Sequence, residues 1–415
     1  HDAYPQTHNL LGAALKSLQD ADGAEAAFRR AFELDPTMTA AQVNLGTVYG
    51  MRRQWDAALA CYERALAISP NSAEALNNRG NVRHSVGQFA AAQADFERAI
   101  AIDPDYPDPH LNLGLQLLMQ GRWAEGWPEF EWRWRTPQME PFRRDFPQPQ
   151  WDGTPMPDAT LLVHAEQGMG DTLNFVRYAP LAAERVGRVV LESQPSLVPL
   201  LRGMAGVDHV FPRTEAPPAF DVHVPLLSLP GIFGTKPETV PDTVPYLHAP
   251  AEATARLPAA GPGLKVGLVW AGNPRNPFDP SRTAGLRRLR PLFDVPGCVF
   301  YSLQHGPPGD QIAAEGLGGR IHDLRAQLTD FAATAALVDQ LDLVISICTS
   351  VAHLAGGMGA ETWVTLSQDA DWRWLRDTET SPWYPSVRLF RQRELDDWDE
   401  LAGRVAVALA ERAIR

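Results

Sequence analysis

At 415 residues the chain is long enough for two or three domains, each with its own core. Hydrophobic residues make up 45% and charged residues 21%, an ordinary globular mix. No apolar run approaches the roughly 18 residues a membrane helix needs, so no transmembrane segment is expected. The formal charge of −13 argues against broad nucleic-acid binding, which depends on neutralising phosphates. The three cysteines, Cys61, Cys298 and Cys348, are scattered and lack metal-ligand spacing, so neither a disulfide framework nor a metal site is expected. They fit a reducing compartment, and a cytoplasmic location is the expectation. The chain begins at His1 without a methionine or a signal-like segment, which leaves open whether residues precede it.

The first pattern along the chain is a repeat. Gly12, Gly46, Gly80 and Gly114 are each 34 residues apart, and so are Pro36, Pro70 and Pro104. Phe28, Tyr62, Phe96 and Phe130 keep the same step, as do Ala31, Ala65 and Ala99 and the aromatics Trp55, Phe89 and Trp123. Each unit reads as two amphipathic helices, the second unit over about 39–49 and 55–68. The glycine lets the two helices approach, the aromatic fills the gap beside it, and the proline stops the second helix. The pattern resembles the tetratricopeptide repeat and predicts an all-α solenoid over residues 1–135, with a concave groove as a binding surface for a protein partner. In the fourth unit Gly126-Trp127-Pro128 is expected to interrupt the second helix. Trp132 and Trp134 then read as the joint to the next domain or, alternatively, as a ligand surface.

Residues 136–158 carry Pro137, Pro141, Pro147, Pro149, Pro155 and Pro157 and read as a linker or extended strap. Beyond them short apolar strands alternate with helices, the pattern of parallel α/β sheets. A first lobe over 159–258 holds candidate strands at 161–164, 188–192, 209–211 and 222–226. A second, over 259–415, holds them at 265–270, 299–303, 343–347, 363–366 and 387–390, with a final helix at about 398–412. The expected class is therefore α plus α/β, a helical solenoid followed by two Rossmann-like lobes facing across a cleft.

Ligands of open parallel sheets bind beyond the carboxyl ends of the strands. Four loops lie there. In His164-Ala165-Glu166-Gln167-Gly168-Met169-Gly170-Asp171, the glycines admit a ligand to the backbone. Asp171 is either the cap of the next helix or a base facing the cleft. Trp270-Ala271-Gly272-Asn273-Pro274 leads into a loop with Arg275 and Arg282, suited to a diphosphate or simply solvated. Gln304 and His305 end another strand and read as ligands of a base or phosphate, or as structural. Cys348, Thr349 and Ser350 turn the chain into a helix that carries His353, a ready anion site that Thr349 or Ser350 would also cap. The segment Asp371-Trp372-Arg373-Trp374 with Trp383-Tyr384-Pro385 reads as lobe packing or as a stacking platform. Cys348 has no base beside it in sequence and is a poor candidate nucleophile.

Taken in order, HAEQGMGDTLNFVRYAPLA, VGLVWAGNP, DLVISICTSVAHLAGGMG and DWRWLRDTETSPWYPSVRLFRQ resemble bacterial tetratricopeptide-repeat glycosyltransferases. The catalytic halves of that family are similar to the lipopolysaccharide heptosyltransferases (family 9-type) and more distantly to the O-GlcNAc transferases. The resemblance covers residues 159–395. It implies a GT-B fold, a nucleotide-diphospho-sugar donor held mainly by the second lobe, and transfer with no obligatory metal or other cofactor. Asp171 matches the family's proposed base, Gly272 and Asn273 its phosphate-facing turn, and Thr349, Ser350 and His353 its element beside the donor diphosphate. Arg282 retains the cationic position, while Glu166, Gln167, Gly168 and Gly170 fall on the acceptor or cleft side. Two departures bear on donor identity and activity: Cys348 stands where the family usually has aspartate, and the loop from Pro274 to Thr283 is rewritten.

Three functions are consistent with these residues. The leading one is transfer of a sugar to serine or threonine hydroxyls of a protein chosen by the repeat groove, with flagellin as an example by analogy. The second is a scaffold that has lost chemistry. The third, transfer to a lipid-linked glycan, ranks last, because no basic amphipathic helix is seen.

Overall fold

The computed structural model describes residues 4–273, 282–368 and 370–414. It divides into two compact units, His1–Leu118 with Glu125–Arg143, and Met119–Ala124 with Arg144–Arg415. Among the described residues no helix is long and apolar enough to cross a membrane.

The repeat folds as α1 (Pro5–Ser17), α2 (Ala21–Leu34), α3 (Thr39–Met51), α4 (Trp55–Ile68), α5 (Ala73–Ser85), α6 (Phe89–Ile102), α7 (Pro107–Met119) and α8 (Trp123–Phe130). The spacing explains the pairing. A side chain at Gly46 would put its Cβ 2.7 Å from the Tyr62 ring, so only glycine lets α3 and α4 come this close. The same contact recurs between Gly12 and Phe28 and between Gly80 and Phe96. Ala24, Ala58 and Ala92 are fully buried at the crossing. The even helices α2, α4 and α6 end at Leu34, Ile68 and Ile102, two residues ahead of Pro36, Pro70 and Pro104.

The fourth pair departs in a different way from the expected one. The helix α8 runs through Gly126, Trp127 and Pro128 and breaks only after Phe130, passing into a 3₁₀ turn at Glu131–Arg135. Proline in the second turn of a short helix removes few helical bonds, which is why the break falls later. Trp132 stacks on His110 at 3.7 Å, and the Arg133 guanidinium lies 5.0 Å from the Trp134 ring, both inside the first unit.

The second unit holds two wholly parallel sheets. The first comprises β1 (Met156–His164), β2 (Val186–Ser193), β3 (His209–Pro212) and β4 (Val222–Pro225), in the order β3-β2-β1-β4. The second comprises β5 (Leu264–Val269), β6 (Cys298–Ser302), β7 (Ile321–Asp323), β8 (Leu343–Ile347), β9 (Thr362–Leu366) and β10 (Val387–Arg391), in the order β10-β9-β8-β5-β6-β7. Each sheet starts in its interior and reverses direction once, the first between β1 and β4 and the second between β5 and β8. That reversal is the doubly wound pattern, and it fixes where ligand loops emerge. All the expected strands are present. The short edge strand β7 is the addition.

The expected linker 136–158 is part of the fold. It contains a 3₁₀ turn at Pro137–Phe142, and Met156 already belongs to β1. Gln150 bridges in parallel to His223 of β4, while Phe146 packs on Leu162, Val190 and Phe211. The final helix, Trp398–Ile414, buries Trp398, Leu401, Val405 and Leu409 in the core of the second sheet.

Candidate functional site

The loop after β1 leads into helix α9 (Met169–Phe175), capped by Gly168. Asp171 Oδ2 accepts the Gly168 N–H at 2.8 Å, so the carboxylate does cap the helix. Its other oxygen, Oδ1, accepts Arg373 Nη2 at 2.6 Å, and the side chain remains 19% exposed. The carboxylate thus caps the helix with one oxygen and pairs with Arg373 through the other. Glu166 is buried and accepts the Leu227 N–H at 2.9 Å, tying the loop after β1 to the loop after β4. The Gln167 carbonyl accepts Gln194 Nε2 at 3.0 Å. Glu166 therefore shapes the switch point of the first sheet, and Gln167 ties the same loop to the one after β2. A Cβ on Gly170 would lie 2.9 Å from His353 Cδ2 and 3.5 Å from Ser350 Cα, so this glycine sets the approach of α9 to the helix after β8.

On the second sheet Gln304 organises the loop after β5. Its Oε1 accepts the N–H groups of Trp270 and Ala271 at 3.1 and 2.8 Å, and its Nε2 donates to the carbonyls of Ala271 and His305. With both amide atoms committed to the main chain, Gln304 braces the turn that carries Gly272 and Asn273. His305 is exposed. The Gly272 N–H donates to Thr283 Oγ1 at 3.2 Å. Arg275 and the rest of 274–281 lie outside the described residues. Arg282 is partly buried, and its Nε has no hydrogen-bond partner.

The loop after β8 opens the helix Ser350–Gly357 with Thr349 at its N-cap. The Thr349 hydroxyl pairs with Ser346 Oγ at 3.0 Å and does not cap the helix, leaving the first turn to its own amides. The His353 ring stacks on Trp374 with centroids 5.1 Å apart, and its Nδ1 lies 2.9 Å from the Tyr384 hydroxyl. The Trp374 indole N–H donates to Cys348 Sγ at 3.1 Å.

The electrostatics centre on Arg373, which is 5% exposed and lies between two carboxylates. It donates to Asp171 and, through Nη1, to Asp371 at 3.0 and 3.1 Å. Burial pushes the Asp171 carboxyl above the ordinary range, against the opposing pull of Arg373. Burial also acts on Asp371, but there the Arg373 charge and its hydrogen bonds outweigh it and hold the carboxyl low. Burial, with Arg373 next, depresses His353 to about 3, so the imidazole is neutral. Burial raises the Cys348 thiol to about 11, with Asp371 adding to the effect, so no thiolate forms near neutrality. Arg282 is near enough to pull down the Asp171 and Cys348 values.

Gly168, Gly170, Asp171, Ser350, His353 and Arg282 are thus brought to one place, where the switch points of the two sheets meet. Asp371 and Arg373, read from sequence only as part of the aromatic segment, join them, as do Asn174 and Arg177, which were not singled out. The first two had a signal in the alternation of charge and aromatic in Asp371-Trp372-Arg373-Trp374. Asn174 and Arg177 had none, being polar residues in a short, otherwise buried helical stretch. The aromatic segment packs: Trp372, Trp374, Trp383 and Tyr384 are all buried, and Trp123 stacks on Trp383 at 4.9 Å. Among the described residues no group of three or more His, Cys, Asp or Glu side chains forms a metal cluster.

Comparison with known proteins identifies the repeats. Tetratricopeptide-repeat profiles match residues 9–73, 45–111 and 96–127. Protein FlbA of Caulobacter vibrioides is 30% identical over 336 residues, which is 72% of this chain and 54% of that protein. The chain therefore spans about half the length of this relative. Among solved structures, MamA aligns with 32% of this chain and 77% of its own, at 24% identity and a TM-score of 0.29. PilF of Pseudomonas aeruginosa aligns with 33% of this chain and 63% of its own, at 24% identity and a TM-score of 0.31. YrrB, described as a tetratricopeptide protein with an unusual peptide-binding site, gives 32% and 69% at 20% identity and a TM-score of 0.28. The first unit is a tetratricopeptide solenoid, and an α/β region with parallel sheets follows it.

Proposed function

We propose that the second unit is a glycosyltransferase module that moves a sugar from a nucleotide-diphospho-sugar to a hydroxyl of a protein selected by the repeat groove. The observation that supports this reading most is the meeting of two switch points: Gly170, beside Asp171 after β1, lies against His353 and Ser350 after β8, and Arg373 pairs with Asp171. In this reading the acceptor hydroxyl oxygen bonds to the anomeric carbon as the bond from that carbon to the donor phosphate breaks. Asp171 takes the hydroxyl proton, and the nucleotide leaves with the electron pair. The first-turn amides of the helix Ser350–Gly357, the neutral His353 and the Arg282 guanidinium stabilise the departing phosphates. Arg373 holds the Asp171 carboxylate in place. Serine or threonine of a flagellin-like surface protein is one acceptor consistent with the repeats.

A specific observation favours a second reading, a partner-binding scaffold without turnover. Cys348 replaces the carboxylate expected before Thr349, and its thiol stays neutral beside the Trp374 indole. Donor hydrolysis and transfer, measured on wild type and Asp171→Asn, separate the two. The transferase reading expects turnover in wild type and a loss of about 10²- to 10⁴-fold in the variant, the usual contribution of a general base. Partner binding with no turnover in wild type would establish the scaffold.

A further inference from the structure

Tyr384 has one hydroxyl proton; of the side chains around it, Tyr246 spends its own proton on the Leu173 carbonyl, and His353 and Asn174 are the two that lie at 2.9 Å. His353 Nδ1 lies 2.9 Å from the phenol oxygen on one side, and the Asn174 side-chain amide lies 2.9 Å away on the other. If the phenol donates to Asn174, His353 must carry its proton on Nδ1, and Nε2 is a bare lone pair. If the phenol donates to His353, the Asn174 amide donates to the phenol, and the imidazole proton sits on Nε2.

Two observations decide between these arrangements. With Oδ1 turned toward Tyr384, the Asn174 Nδ2 group is fully buried and has no acceptor. Turning the amide over leaves a carbonyl oxygen without a partner instead, and buried N–H groups tolerate that state less well than carbonyls do. The surroundings are also electropositive. Arg177 Nε donates to the Asn174 main-chain carbonyl at 3.0 Å, and the charges of Arg373, Arg177 and Arg282 all reach His353 against the opposing carboxylate, Asp371. A positive field favours an inward carbonyl oxygen over an inward N–H₂ group. The Nε2 edge of His353 faces Gly170 at the start of α9, and no hydrogen bond among the described residues engages it.

We infer that Asn174 and Tyr384 are positioning residues that hold His353 as the Nε2–H tautomer, so that a neutral N–H donor faces the cleft. The sense of this relay is set across the lobes, because Asn174 lies on α9 and Tyr384 follows β9. Its use, donation to a phosphate oxygen of the bound nucleotide, rests on the transferase reading above. The tautomer itself does not.

The test is long-range proton–nitrogen NMR of the full chain labelled with ¹⁵N-imidazole histidine, with His353 assigned by the signal lost in His353→Gln. Wild type is expected to show a protonated Nε2 and an unprotonated Nδ1, unchanged between about pH 5 and pH 8. Asn174→Asp gives the phenol a carboxylate to donate to, and it should reverse the pattern to Nδ1–H. Tyr384→Phe should leave both tautomers in exchange. A protonated Nδ1 in wild type would overturn the inference, and so would an unchanged pattern in Asn174→Asp. The spectra require no turnover. A chain that moves no sugar yet shows the expected tautomers upholds the relay and fails the transferase reading; turnover with the opposite tautomer does the reverse.

Discussion

Arg373 shows how one residue can set the chemistry of a site that sequence only outlines. Its guanidinium is the shared counter-charge of Asp171 and Asp371, and all three act as a unit. Removing it strands two largely buried carboxylates, so Arg373→Ala should lower stability by about 3–5 kcal/mol in chemical denaturation. A loss below about 1 kcal/mol would mean that the pair is effectively solvated. His353 makes a second prediction. Its value falls from 6.5 to about 3 on folding, so the unfolded chain takes up a proton that the native state refuses. The associated stability is complete above pH 6.5 and is lost as the pH falls toward 3, by at most about 1.4 kcal/mol for each pH unit. Wild type should therefore lose more stability than His353→Gln between pH 6.5 and pH 4, as read by denaturant titrations at each pH. Parallel curves would count against a neutral, buried imidazole.

At the scale of elements, the repeat was the most legible part of the chain, because its period is carried by contacts. Gly46 exists to let Tyr62 in, and Pro70 exists to end α4; each residue type follows from one local requirement. Gly46→Val should thus overpack the α3–α4 crossing and cost about 1–3 kcal/mol, despite the poor helix propensity of the glycine it replaces. Strands β1 to β6 and β8 to β10 were also legible as apolar runs, whereas β7 has only three residues and no room for a pattern. The prolines before β1 left linker and strap equally open, and the strap is what forms: Trp151 is buried and its N–H donates to the His223 carbonyl at 2.7 Å. The roles of Glu166, Gln167 and Gln304 were not legible either. Each is a polar residue in a ligand-type loop, and only the fold reveals that the Glu166 and Gln304 side chains bond to main-chain groups while the Gln167 carbonyl takes a hydrogen bond from Gln194.

At the scale of the whole molecule, a repeat scaffold is followed by an α/β unit whose two sheets bring their switch points together. The residues that converge there come from 168–174, 282, 348–353 and 371–384, a spread no local pattern could have joined. Their combined character is two paired carboxylates, one shared arginine, a second partly buried arginine and a neutral histidine. That set suits an anionic ligand whose charge is met by Arg282 and helix amides. The most direct measurement is the melting temperature of the full chain against a panel of nucleoside phosphates and nucleotide-sugars, in wild type and in Arg282→Ala. A ligand that binds only the folded state adds about 2.7 kcal/mol at a hundred times its dissociation constant. The transferase account predicts a clear rise with one nucleotide in wild type and a diminished rise in Arg282→Ala. A folded wild type whose melting temperature is moved by none of them would contradict it.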